Sequence, residues 1–219
     1  MQPLPEIVFC FRYFGAEPPG GNPLVLKSFP RRRVLALLAA LAMVFGAAPA
    51  WAAVQMTFYT KELGASFPHT FVILDGTLDR SGERVFEDYG FSAKTISPAI
   101  LWGRVGGKVI SDHEPSYVKA SDMHFTVTLS DAEYDRVLAT VERWRTAKQP
   151  SYDLDKANCI HFVAELAAAI GMEAAPRKGL MRKPRSFVEA ITAANQAWLL
   201  ARGATIHRLK EPERKRDPA

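Results

Sequence analysis

The hydrophobic pattern of this chain changes period once, and that change bounds its fold. Between Val54 and Leu129 apolar residues recur at every second position in short runs, whereas from Ser130 they recur every three to four. The first spacing is that of half-buried strands and the second that of amphipathic helices. Strands are expected at Val54–Tyr59, Phe67–Leu74 (closed by the turn signal Asp75-Gly76), Glu83–Tyr89, Arg104–Ile110 and Met123–Leu129, with a helical turn at Ser97–Trp102. Ser130 and Glu133 form a capping box ahead of the stripe Tyr134, Val137, Leu138, Val141 and Trp144. A second helix is expected from Asn158 to Ile170, stopped by Gly171. A third is expected from Ser186 to Leu200, opened by a second capping box of Ser186 and Glu189. Ala204–Leu209 returns as a last strand. Strands first and helices after make the class α+β.

The domain organisation follows from the N-terminus. Arg31, Arg32 and Arg33 precede an uncharged run of 15 residues, Val34–Ala48, and Ala50-Trp51-Ala52 follows as a cleavage site. The run is short of the ~20 residues of a membrane span, and the arrangement is that of a secretory signal. Residues 31–52 are therefore expected to be removed. No stable membrane span is expected afterwards, and the location is expected to be periplasmic or secreted. Residues 1–30 are a Pro-rich extension carrying Cys10, expected to reflect a start assigned too far upstream. Residues 53–207 form the domain, and 208–219 a charged tail expected to be disordered. Over 53–219 the charge is 23 basic against 21 acidic side chains, so the +5 of the whole chain falls to +2. Nucleic acid is excluded as the expected partner.

After that cleavage Cys159 is the only cysteine. It stands at the first turn of the expected second helix, on the side of Ile160, Phe162, Val163 and Leu166. Free amides and the positive end of the helix dipole there favour a thiolate and could hold an oxyanion. Asn158 or Asp155 is positioned to cap this helix. A thiol nucleophile needs a proton carrier. Of the five histidines, His69, entering a strong strand, is the best placed. His161 points elsewhere around its helix, His124 lies within a strand, and His113 and His207 read as loop or edge residues. No His-x-x-x-His or Cys-x-x-Cys spacing occurs, so neither a metal nor another cofactor is expected. Trp102, Trp144 and Trp198 read as core anchors.

Three segments carry a resemblance: Phe67-Pro68-His69-Thr70-Phe71-Val72, Val85-Phe86-Glu87-Asp88-Tyr89-Gly90, and Tyr152 to Val163 with the form Tyr-x-Leu-x-x-x-Asn-Cys-x-x-Phe. Together they resemble the circularly permuted papain-like superfamily. That group includes the PPPDE-type isopeptidases, the YaeF/YiiX-like amidases and the lecithin:retinol acyltransferase-like enzymes, relatives of NlpC-type cell-wall peptidases. In it the histidine strand precedes the cysteine helix, as His69 precedes Cys159 by 90 residues here. The resemblance implies a small antiparallel sheet or barrel packed on the cysteine helix. It implies Cys159 as nucleophile, His69 as base, and Glu87 or, as the close alternative, Asp88 as the group orienting the imidazole. Asn158 would support the site or its oxyanion. The implied activity is cleavage of an amide bond in a peptide, an isopeptide or the cell wall. A thiol acyltransferase or lipid esterase, and a non-catalytic binding module, are the competing readings. Phe71, where relatives carry a small residue, departs from the pattern, and residues 91–122 match no part of it.

Overall fold

The structure is a computed structural model that describes residues 53–62 and 67–207. The expected export signal at residues 31–52, residues 1–30 and the expected disordered tail at 208–219 lie outside the described residues. Six strands form one open antiparallel sheet: β1 Val54–Lys61, β2 His69–Thr77, β3 Arg84–Ala93, β4 Gly107–Ile110, β5 Asp122–Leu129 and β6 Thr205–Ile206. Their order across the sheet is β4-β3-β2-β1-β5-β6. The class is thus α+β. The sheet is open rather than a barrel, because β4 and β6 remain its two edges.

Period-two alternation decides which side of each strand is covered. Val54, Met56 and Phe58 of β1, Val72 and Leu74 of β2, and Phe125 and Val127 of β5 point to one side and build the main core. Four helices cover that side: α2 Asp131–Arg145, α3 Cys159–Ala169, α4 Pro184–Ala194 and α5 Gln196–Ala201. α3 packs on β2 and β3, and α4 on β1 and β5. Phe162, Leu166, Phe187 and Ile191 are fully buried there.

The other side of the sheet is covered by topology. β4 ends at one edge and β5 must pair with β1, three strands across. The connecting segment 111–121, which includes the short helix α1 Pro115–Lys119, crosses the sheet. On the way it lays His113 and Tyr117 on Phe71, with ring centroids 4.4 and 5.8 Å away. Lys61 Nζ donates to the Ala120 carbonyl at 2.6 Å. This cover buries Phe71 completely and encloses the side chain of His113, a loop residue as one of its sequence readings had it.

The helix ends follow their signals in two cases. Ser130 and Glu133 form the expected capping box of α2, each side chain bonded to the other residue's backbone. Past α3, Gly171 has φ +92°; its amide bonds the Ala168 carbonyl and the next amide, Met172, bonds Ala167, the two bonds of a glycine C-cap. The third helix departs from expectation. It begins at Pro184 rather than Ser186 and breaks at Asn195 into α4 and α5. No side chain caps α4, and Glu189 pairs with Arg185 instead of closing a box with Ser186. The expected strand from Arg104 forms only from Gly107; ahead of it Val105 bridges Tyr152. Trp144 and Trp198 pack against the core, but Trp102 is 81% exposed beside the turn Pro98–Leu101, a correction to its reading as an anchor.

Candidate active site

Asn158 sets the geometry around Cys159. Its backbone is extended, and its Oδ1 accepts from the amides of Ile160 (2.9 Å) and His161 (3.3 Å). Its Nδ2 donates to the carbonyls of Leu154 and Met181 at 2.7 and 2.6 Å. Of the two candidate caps, Asn158 is therefore the one used; Asp155 forms a two-bond ion pair with Arg182. The Asn158 side chain has no donor left over for an oxyanion, so its role is to support the helix start. His161 closes the same cap through Nδ1.

The cap aims Cys159 at the start of β2. The sulfur faces the backbone amides of Thr70, Ile160 and Cys159 itself, which favour its thiolate. Thr70 is the residue after His69. It is also where the sheet divides. β2 pairs with β1 as far as His69, but its pairing with β3 stops at Phe71 opposite Gly90, and β3 continues alone with β4. The sulfur therefore meets the part of β2 that β3 leaves uncovered.

Burial governs the electrostatics. Cys159 is 6% exposed, and desolvation pushes its thiol up to about 11 despite the three amides. His69 is pushed down to about 3, first by burial and then by the neighbouring His113. Tyr117 is raised to about 12, by burial and then by Cys159, and Tyr152 is raised for the same reasons. The site thus holds a neutral thiol and a neutral imidazole. Burial favours the neutral thiol over the expected thiolate, because removing the charge from water costs more than three amides return.

Glu87 and Asp88 stand apart from their expected roles. Glu87 lies across from Leu74, five residues along β2 from His69 and so about 16 Å away at the usual strand rise. It has the parity of Tyr89 and Phe91, faces the helices, and accepts from the Tyr134 hydroxyl at 3.2 Å. Glu87 does not orient His69. Asp88 has the opposite parity and lies on the face of His69. Its carboxylate takes the His113 backbone amide at 3.0 Å and sits 3.0 Å from His113 Nδ1, with the two side chains 12% and 6% exposed. Asp88 therefore holds His113 rather than His69. The rings of His69 and His113 face each other, centroids 5.7 Å apart.

His113 and Tyr117 are the residues that sequence reasoning missed. They lie in a stretch without periodicity, brought to the site only by the crossing of the sheet. Among the described residues no cluster of three or more His, Cys, Asp or Glu side chains is arranged to hold a metal ion. The other histidines serve the frame: His124 Nε2 lies 2.7 Å from Thr60 Oγ1, and His207 Nε2 lies 2.9 Å from Thr126 Oγ1. Among the described residues no helix is long and apolar enough to cross a membrane.

No protein-family model matches the chain, and no curated protein matches it. Among solved structures it is similar to the crystal structure of a type VI secretion system effector, TseH, at 15% identity and a TM-score of 0.44, over 66% of this chain and 90% of that one. At that level the likeness carries no information on function.

Proposed function

We propose that this chain is an exported thiol hydrolase acting on an amide bond, built on a permuted papain-like scaffold, with Cys159 as nucleophile and His69 as base. The observation that carries the reading is the sulfur of Cys159 directed at the Thr70 amide, next in sequence to His69, where β3 leaves β2. A neutral thiol–imidazole pair works by general-base transfer. His69 takes the thiol proton as sulfur attacks the carbonyl carbon, forming the C–S bond. The Cys159 amide faces the oxyanion. His69 then protonates the leaving amine as the C–N bond breaks, and water, deprotonated by His69, releases the acid from the thioester. Peptidoglycan peptide or an isopeptide is the substrate class proposed from the export signal, and the periplasm or the exterior is the proposed location.

The burial of Cys159 and His69 favours a second reading, an exported binding module in which the cysteine is a core residue. Incubation with muropeptides and peptide amides, followed by intact mass, separates the two. The hydrolase reading expects an acyl adduct on Cys159 and product release, both absent in Cys159→Ala. Unmodified protein with every amide and ester substrate, and ligand binding that Cys159→Ala leaves unchanged, would establish the module.

A further inference from the structure

The connection between β3 and β4 carries its large apolar side chains outward. The two strands pair as far as Ala93 opposite Gly107, and the Lys94 amide then bonds the Gly106 carbonyl at 2.8 Å. Val105 exchanges two bonds of 3.0 Å with Tyr152, which ties the base of the loop to the rest of the domain. Residues 95–104 lie beyond that base, around the turn Pro98–Leu101, none of whose side chains is buried. Trp102, Leu101 and Ile96 are 81%, 66% and 56% exposed. Three such side chains in one short loop mark a docking place rather than scattered surface residues.

Two observations say what docks there. The first is charge. No Asp or Glu occurs between Asp88 and Asp112, whereas Lys94, Arg104 and Lys108 all stand exposed beside the loop. Arg104 is 3.8 Å from Asp153, so Lys94 and Lys108 carry most of the free positive charge. Apolar side chains flanked by cations match a layer that is anionic at its face and apolar beneath. The second is the backbone. A segment that enters such a layer must satisfy its own amides. Here the Ile100 amide bonds the Ser97 carbonyl and the Trp102 amide the Ala99 carbonyl, both at 3.1 Å, and Pro98 has no amide proton. The indole of Trp102 is the side chain best suited to the headgroup boundary.

We propose that the β3–β4 loop is a membrane-surface anchor: Ile96, Leu101 and Trp102 enter the interface of a bilayer rich in anionic lipid, and Lys94 and Lys108 stay with the headgroups. The anchor goes beyond the hydrolase reading and does not depend on Cys159 being a nucleophile.

The test uses the full chain with Trp51→Phe, which leaves Trp102, Trp144 and Trp198, the last two packed against the core. A local readout is required because the apolar run Val34–Ala48 would hold the chain on lipid by itself. The vesicles carry bromine on their acyl chains and consist of phosphatidylcholine, alone or mixed with phosphatidylglycerol. With the mixed vesicles the tryptophan emission is expected to move to shorter wavelength and to be quenched, and Trp102→Ala is expected to lose both effects. Ile96→Ser combined with Leu101→Ser is expected to lower the ratio of inserted to free loop at least about tenfold, seen as loss of most of the quenching at saturating lipid. Lys94→Gln combined with Lys108→Gln is expected to weaken quenching by the mixed vesicles and leave that by phosphatidylcholine unchanged. All five positions are exposed, and circular dichroism checks that each variant is folded. Trp102 emission that neither vesicle alters would overturn the proposal. So would a short-wavelength emission already present without lipid: one that grows with protein concentration would make the loop a contact between copies, and one that does not would assign it to another segment of this chain.

Discussion

A methyl group at Gly90 would sit 2.6 Å from the His69 ring, closer than real contacts allow. Gly90→Ala must therefore displace His69 or the strand beneath it, at about 1–3 kcal/mol of stability for overpacking. The expected result is a folded protein with a lowered melting temperature and slowed Cys159 alkylation. A wild-type rate in that variant would separate the His69 position from thiol reactivity. Burial of His69 also makes stability depend on pH. Its folded value of about 3 lies below the unfolded 6.5, so in that window the unfolded chain binds a proton that the folded chain refuses. Stability is full above 6.5 and declines as pH falls through the window, by about 2 kcal/mol between pH 7 and 5 from His69 alone. Urea unfolding at the two pH values checks this, and His69→Ala should reduce the difference while leaving the part due to His124, which burial holds at about 4. At this scale the positions of Cys159, at a helix start, and of His69, at a strand entrance, were legible. Strand parity alone separates Glu87, on the side of Tyr89 and Phe91, from Asp88 on the opposite side. His113 was not, because nothing local marks a histidine whose burial comes from a distant strand.

The start of α3 depends on one side chain. Asn158→Ala removes the acceptor for two amides and the donor to two carbonyls. The expected loss is about 2–3 kcal/mol, an N-cap together with buried carbonyls left unpaired. Asn158→Asp keeps the acceptor and should recover part of it. Urea midpoints order the three proteins, and equal midpoints would show that the cap does not hold the helix. At α2, Ser130→Ala should lose about 1 kcal/mol by the same measurement. These ends were readable because a cap is a local bargain between neighbours in sequence. The break at Asn195 was not. Its side chain reaches back to the amide and carbonyl of Glu173 as well as to Ile191, and the apolar spacing through Leu200 gives no sign of that distant partner. The shortened β4 has a similar cause, since Gln149 takes both the amide and the carbonyl of Gly107.

The whole molecule places its candidate chemistry between two layers. Helices bring Cys159 to the edge of β2 that β3 leaves free at Thr70, and the segment crossing from β4 to β5 buries the neighbouring His69. The α+β class could be read from the change of period, but the strand order could not. It depends on β5 pairing with β1, a contact between residues some 70 positions apart that no local pattern announces. That order makes the crossing unavoidable and explains why the site is closed and uncharged. The account's central claim is that Cys159 and His69 exchange a proton despite that closure. It is tested most directly by the rate of iodoacetamide alkylation between pH 5 and 11, in the wild type and in His69→Ala. Base assistance predicts that His69→Ala lowers the rate at pH 7 by at least about tenfold, although the truncation opens the site. A rate that stays the same or rises on removal of the imidazole, with the thiol titrating alone near 11 in the wild type, would make Cys159 a core cysteine and contradict the account.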